Sequence, residues 1–300
     1  MLTTQTKDPL AKFGDFLFKL ELFEVSELTL EYARRELNET PENIENGLRE
    51  LRRLLKDDSQ LKTPLESDSW LLGFLRLRNF DPESAYEKIK MYYQFRKRYE
   101  NLAKTAMPSR LKHIFDMSLA LPLPKRDQCE RRIVLVRSGK YWDLKKVHKD
   151  DFFQAGGMCH ELCAMEPASK IHGLVSICDM DGLTVEHALK LTLKYTKRNV
   201  ESYQEGSSFR PCALHFVNEP SLFHACFKLA RPFLNKEWSK CIHFHGNNME
   251  SLHKFISPEC LPECYGGTMK LELNYGPQFY EVIKMFEEDF IRNYNYGYKK

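Results

Sequence analysis

Apolar positions recur at helical spacing through the first third of the chain. Ile44, Leu48, Leu51, Leu54 and Leu55 form one stripe behind Thr40-Pro41-Glu42, a threonine cap followed by proline at the first helical position. Ser67-Asp68 opens a second predicted helix with Trp70, Leu71, Phe74, Leu75 and Leu77. Asp81-Pro82-Glu83 opens a third, whose stripe is Ala85, Ile89, Tyr92, Tyr93 and Tyr99. Arg96, Lys97 and Arg98 lie near its end, where cations suit the helix dipole. Residues 1 to about 110 read as helices that stop at Met107-Pro108.

The period then changes. Arg132–Arg137, Gly173–Asp179, Cys212–Val217 and Cys241–His245 are short apolar runs of strand length. Helical patterns separate them, over Asp150–Glu166, Thr184–Tyr203 and Pro220–Lys240. Strands alternating with helices predict βαβ units and a mostly parallel sheet flanked by helices, an α/β fold. A tail from 275 carries Phe279, Val282, Ile283, Phe286 and Phe290 at helical spacing.

One helical stretch is apolar over more than one face. Between Pro220 and Pro232, Phe223, Cys226, Phe227 and Ala230 make one stripe, and Leu222, Ala225 and Leu229 widen it. The polar stripe is narrow: His224, Lys228 and Arg231. Such a helix needs burial on two sides, a membrane, or a movable apolar ligand. Residues 210–240 carry Arg210, Lys228, Arg231, Lys236 and Lys240 against Glu219 and Glu237. That local excess equals the whole chain's net charge of +3. Basic residues beside an apolar helix favour reversible contact with an anionic leaflet. A crossover helix packed between sheet and neighbours, with a solvated charged face, is the plainer reading.

Composition narrows the function. The 300 residues are 42% hydrophobic and 29% charged, values of a globular chain with a sizeable core. The small net charge excludes a global basic field for nucleic acid. No apolar run approaches a membrane span. Lys7, Asp8, Lys12, Asp15 and Lys19 interrupt the first twenty residues, so no secretory leader is expected and the location expected is cytoplasmic. Nine cysteines, an odd number, are then reduced and mostly structural. Cys159/Cys163, with His160 and Glu161, and His243/His245 are weak metal candidates, and no metal is predicted. The chain has no GxGxxG, no GxxxxGK[ST] and no GxSxG, so neither a nucleotide cofactor nor an α/β-hydrolase nucleophile is predicted. Asp179 and Asp181 read as turn chemistry rather than a catalytic pair.

Five segments resemble the CRAL-TRIO family, and within it the α-tocopherol transfer proteins. Ser67–Asp81 is similar to the family's N-terminal helical signature. Phe216-Val217-Asn218-Glu219-Pro220 and Arg231-Pro232-Phe233-Leu234 resemble the boundaries of its gate helix, and Ile242–Asn248 the strand that follows. Leu261-Pro262-Glu263-Cys264-Tyr265-Gly266-Gly267 matches LPxEYGG except that Cys264 replaces glutamate. The resemblance implies a helical N-terminal domain (1–108), a lipid-binding domain (109–272) with a mobile gate helix over Pro220–Pro232, and a helical tail (273–300).

It also implies a noncatalytic carrier, monomeric, that encloses one small hydrophobic ligand and transfers it between membranes. Isoprenoids such as a retinoid, tocopherol or carotenoid are the candidates. The pocket positions carried over are Phe153, Gly156, Gly157, His160, Leu174, Ile177, Tyr203, Phe209 and Leu214, with Phe223 and Phe227 from the gate. His160 and Tyr203 can each bond a polar ligand end, and His160 can equally be satisfied by a helix neighbour. Arg210, Lys228, Arg231, Lys236 and Lys240 are the candidates for transient contact with an anionic membrane or phosphoinositide. Cys212, Glu237 and Cys241 stand at the other basic positions of the relative. A phospholipid or phosphoinositide exchanger, a protein-binding scaffold with a closed pocket and an enzyme acting on a lipid are the alternatives.

Overall fold

The computed structural model of the chain describes residues 3–299. Strands β1 (Leu10–Phe13) and β2 (Phe16–Lys19) form an antiparallel hairpin where the sequence pattern predicts helix. The two-residue loop Gly14-Asp15 accounts for it. Gly14 takes φ +58°, the left-handed backbone of a tight hairpin turn. Phe13 and Phe18 fall on one face and are fully buried, against Tyr275 and Phe279. The hairpin therefore packs on residues 111–164 and 269–286, not on the N-terminal helices.

Those helices form where their caps predict. Thr40, Ser67 and Asp81 accept backbone N–H bonds at the starts of Pro41–Asp57, Asp68–Leu77 and Pro82–Arg98. Leu51, Trp70, Phe74, Ile89 and Tyr93 make their common core. A short strand β3 (Leu61–Lys62) lies beside this cluster.

The main sheet has five strands in the order β4 (Ala120–Arg126), β5 (Arg132–Arg137), β6 (Leu174–Asp179), β7 (Pro211–Val217) and β8 (Ile242–Phe244). β4 runs antiparallel to β5 and the other neighbours are parallel. Pro122 and Pro124 hid β4 from the sequence pattern; proline is tolerated because β4 is an edge strand. The crossovers are helical: Lys149–Cys163 and Pro167–His172, then Val185–Lys190 and Leu193–Gln204, then Ser221–Phe227 and Lys236–Lys240. The tail forms Gly276–Lys284 and Glu287–Tyr294, and strand β9 (Gly297–Tyr298) closes back on β3.

Side-chain alternation splits the sheet into two faces. Ile133, Leu135, Val175, Ile177 and Ala213 pack one way, against Leu252, Ile256, Leu261 and Tyr265. Val136, Cys178, Leu214 and Phe216 point the other way, toward the crossover helices. The family-like motifs lock the first face. The Asp179 carboxylate accepts from Asn218 Nδ2 at 2.9 Å and from the Tyr265 hydroxyl at 2.9 Å, and Glu219 Oε1 accepts from Gly246 N at 2.8 Å. Near the hairpin, Arg132 and Glu166 form a buried ion pair that Arg126 joins at 3.0 Å.

The gate helix is shorter than the Pro220–Pro232 predicted. It spans Ser221–Phe227 and continues as a turn into a 3-10 segment, Arg231–Phe233. Pro232 has no N–H to give the Lys228 carbonyl, and its ring crowds the preceding turn. The chain answers with tighter bonds, Leu229 N to Cys226 O at 3.0 Å and Ala230 N to Phe227 O at 2.9 Å.

Candidate functional site

Between the sheet and the crossover helices lies a cavity of about 360 Å³. Val136, Cys178, Leu214, Phe216 and Ile242 form its floor. The helix Lys149–Cys163 walls one side, Leu193–Gln204 another, and the gate covers it with Phe223, Cys226, Phe227 and Ala230. Phe216 is the contact point of the gate, 4.8 Å from Phe223 and 5.9 Å from Phe227 between ring centroids, and it stacks on Phe244. The inner stripe read from the sequence is thus the stripe that faces the cavity.

Two glycines leave room in the wall. Gly156 and Gly157 stand in the interior of a 15-residue helix, where glycine costs about 1 kcal/mol relative to alanine. A Cβ added at either one would meet no atom within 4 Å. The space beyond them is the cavity.

The polar end is a chain of hydrogen bonds. His160 Nδ1 lies 2.7 Å from the Gly156 carbonyl and Nε2 lies 2.7 Å from Ser176 Oγ. A carbonyl only accepts, so Nδ1 carries the proton and Nε2 accepts from the Ser176 hydroxyl. Burial pushes the His160 pKa down and keeps the ring neutral. His160 is therefore satisfied by its own helix and by the sheet. Tyr203 meets the His160 ring edge-on, 5.7 Å between centroids, and burial pushes its hydroxyl pKa up, so it stays protonated.

Of the residues predicted for the pocket, Phe153, Gly156, Gly157 and His160 line the cavity, as do Tyr203, Phe209, Leu214, Phe223 and Phe227. Two do not. Ile177 sits on the opposite face of the sheet, because strand alternation turns it away from Ser176 and Cys178. Leu174 shares the cavity face but is buried in solid packing at the start of β6. The sequence reading missed Phe95, Tyr99 and Leu102, which reach the cavity from the N-terminal helices. Tyr99 was read only as part of a stripe taken for core, and Phe95 and Leu102 belonged to no stripe read from the sequence. It also missed Trp142 and Trp238.

The basic candidates separate. Arg210 is engaged internally, its Nη2 donating to the Arg76 carbonyl at 2.8 Å and to Asn79 Oδ1 at 3.1 Å. Lys228, Arg231 and Lys236 are exposed, and Lys240 pairs with Glu237 at 3.1 Å on the surface. Beside the gate, the helix Val185–Lys190 and the residue Leu193 expose apolar side chains: Val185 is 64%, Leu189 72% and Leu193 54% accessible. Leu229 adds a fourth from the outer side of the gate segment. Among the described residues no helix is long and apolar enough to cross a membrane, and no group of three His, Cys, Asp or Glu is placed to hold a metal. Burial pushes the Cys159 thiol well above its ordinary pKa, as a structural cysteine requires.

A family model described as the CRAL/TRIO domain matches residues 116–267. Clavesin-1 of Rattus norvegicus is 31% identical over 243 residues, covering 80% of this chain and 68% of that protein. Clavesin-2 of Homo sapiens is 30% identical over 243 residues, covering 80% of this chain and 74% of that protein. The crystal structure of Sfh5 superposes with a TM-score of 0.50 at 14% identity, over 84% of this chain and 98% of that one, a likeness of fold alone. On these matches the chain belongs to the CRAL/TRIO family of lipid-binding and lipid-transfer domains.

Proposed function

We propose that this protein is a noncatalytic carrier that encloses one isoprenoid-type lipid and moves it between membranes. The observation that carries the reading is the apolar cavity behind Phe223 and Phe227. At about 360 Å³ it lies at the small end of ligand sites, roughly 300–1,000 Å³, which favours a single prenyl-type chain over a two-chain phospholipid. A ligand burying about 500 Å² of apolar surface gains on the order of 12 kcal/mol over water. Desorption through water is then slow, and a carrier that trades bilayer contacts for cavity contacts removes the obstacle. The exposed Val185, Leu189, Leu193 and Leu229, with Lys228 and Arg231 near them, support reversible association with a membrane surface at the gate.

The protonated Tyr203 hydroxyl on the cavity wall supports a ligand with one polar end for it to bond. The test is mass spectrometry of lipid extracted from purified protein, followed by transfer of the lipid found between vesicles. The expected result is an isoprenoid-type lipid with one polar end, with Tyr203→Phe losing about fivefold to tenfold in affinity for it, as one hydrogen bond is lost. An extracted diacyl phospholipid would favour the exchanger reading instead, and no bindable lipid at all would refute the proposal.

A further inference from the structure

The reverse side of the cavity floor carries a cluster of imidazoles that ligand enclosure does not use. His215 on β7 stacks on His243 of β8, 5.0 Å between ring centroids, and on His245 just beyond β8, at 5.1 Å. Phe255 packs on all three and comes closest to His243, at 4.2 Å. His215 is completely buried and His245 nearly so. Strand alternation ties this face to the other. Leu214, Phe216 and Ile242, the chain neighbours of these histidines, line the cavity, and Phe244 meets Phe227 of the gate at 4.9 Å.

The hydrogen bonds leave no place for another proton. His215 Nδ1 and His245 Nε2 share one bond at 2.9 Å, and His245 Nδ1 lies 2.8 Å from Ser251 Oγ. The remaining nitrogen, His215 Nε2, is buried without a partner. An added proton either lands there, where nothing accepts it, or takes the lone pair that joins the two rings. The surrounding charges oppose it as well. Arg131 and the two neighbouring imidazoles disfavour a charge on His215, and β6 places only Ile177 opposite it. On the helix Met249–His253 and the turn after it, Glu250 and Lys254 are exposed, and His253 Nε2 is engaged with the Tyr265 carbonyl at 3.0 Å. Glu219 is turned to Gly246 N at 2.8 Å and to His224 at 3.7 Å. Among the described residues, His148 and His224 are the only histidines within ion-pairing reach of a carboxylate.

The strand that carries His243 is weakly held. β8 is an edge strand of three residues, paired to β7 through Leu214↔Ile242, His215↔His243 and Phe216↔Phe244. We propose that the imidazole cluster is an acid-operated latch: proton uptake parts β8 from β7, withdraws Phe244 from the gate and speeds release of the ligand. Burial first, and the neighbouring imidazoles second, push His215 down to about 3 and His245 down to about 4 in the closed sheet, whereas a solvated histidine titrates near 6.5. Each proton bound only by the parted form favours that form about thirtyfold at pH 5.0. Parting three residue pairs breaks far fewer contacts than unfolding the domain, so the latch yields in milder acid than the fold does.

The inference rests on the carrier reading, so one of its two readouts needs no ligand. Hydrogen exchange of the empty full chain, corrected for the intrinsic rate, is compared at pH 7.5 and pH 5.0. Residues 214–217 and 241–246 should open about tenfold more at the lower pH, with Pro41–Asp57 and Asp68–Leu77 unchanged. A uniform change, or none in the two strands, overturns the latch. The second readout is the release of retinol into phosphatidylcholine vesicles, followed by energy transfer from tryptophan. Release from the parent should quicken about tenfold between the same two pH values. His215→Gln should remove most of that acceleration, as should His245→Gln if the first variant does not fold. His224→Gln, beside the gate, should keep it. Acceleration that survives in the cluster variants, or that vanishes in His224→Gln, refutes the assignment. A parent that binds no retinol counts against the carrier reading, and hydrogen exchange then decides the latch alone.

Discussion

Replacing Gly156 by leucine should raise the stability of the empty protein and abolish most of its ligand binding. The two effects have opposite signs because the glycine serves the cavity at the expense of the helix. Gly156 lies well inside Lys149–Cys163, and nothing occupies the 4 Å around its missing Cβ. Any good helix former there recovers about 0.5–1 kcal/mol. In a chain of this size that is a rise of roughly 2 °C in Tm. The four added carbons enter the space a lipid needs. If each displaces one ligand methylene at about 0.8 kcal/mol, the loss is roughly 3 kcal/mol, more than a hundredfold in Kd. Gly156→Ala is the control, with the same gain in Tm and a much smaller loss. Thermal unfolding without ligand gives the first quantity. Quenching of Trp142 and Trp238, both of which line the cavity, gives the second. A Gly156→Leu protein that binds lipid with unchanged affinity would refute the assignment of this space to the ligand. One that unfolds at lower temperature would refute the claim that the space is empty.

Other outcomes follow from the same geometry. Val185→Asp/Leu189→Asp should slow transfer between vesicles several-fold and leave Kd unchanged, since neither residue lines the cavity; an unaltered transfer rate would remove these residues from the membrane face. His215 stacks between His243 and His245, with Nδ1 2.9 Å from His245 Nε2 and its buried Nε2 unpartnered. Burial first and the neighbouring imidazoles second push His215 down to about 3 and His245 down to about 4. The unfolded chain takes up these protons near pH 6.5 and the native chain does not, so stability from this cluster is complete above pH 6.5 and lost as pH falls through 4 toward 3. Denaturant melts at stepped pH should show that slope, and His215→Leu should flatten it if the variant folds. Glu166→Gln leaves Arg132 buried without its counter-charge and should cost about 3–5 kcal/mol in chemical denaturation; a loss under 1 kcal/mol would show that water reaches the pair.

The parallel strands were legible because both of their faces are covered. β5, β6 and β7 are therefore nearly continuous apolar runs, which stand out from their surroundings. The same fact blurred the site. In a run such as Leu174-Val175-Ser176-Ile177-Cys178 every position looks like core, so Ile177 was assigned to a pocket that it turns away from. The short hairpin and the proline-bearing edge strand lack the length or composition of a buried strand. β9 is two residues long, and its partner lies far back in the chain. Phe95, Tyr99 and Leu102 become cavity residues only through the packing of the N-terminal helices on the lipid-binding domain, which no local period encodes.

What the chain does announce locally is the places where it works against its own stability. Gly156-Gly157 weakens a long helix, and its only visible return is the volume beyond it. Val185, Leu189 and Leu193 expose apolar surface beside a gate that already carries an apolar inner stripe. A closed, self-sufficient domain would fill the first and polarise the second. Both occur around one cavity, and a lipid leaving a bilayer would use each: the hollow for its chain and the apolar rim for the membrane it leaves.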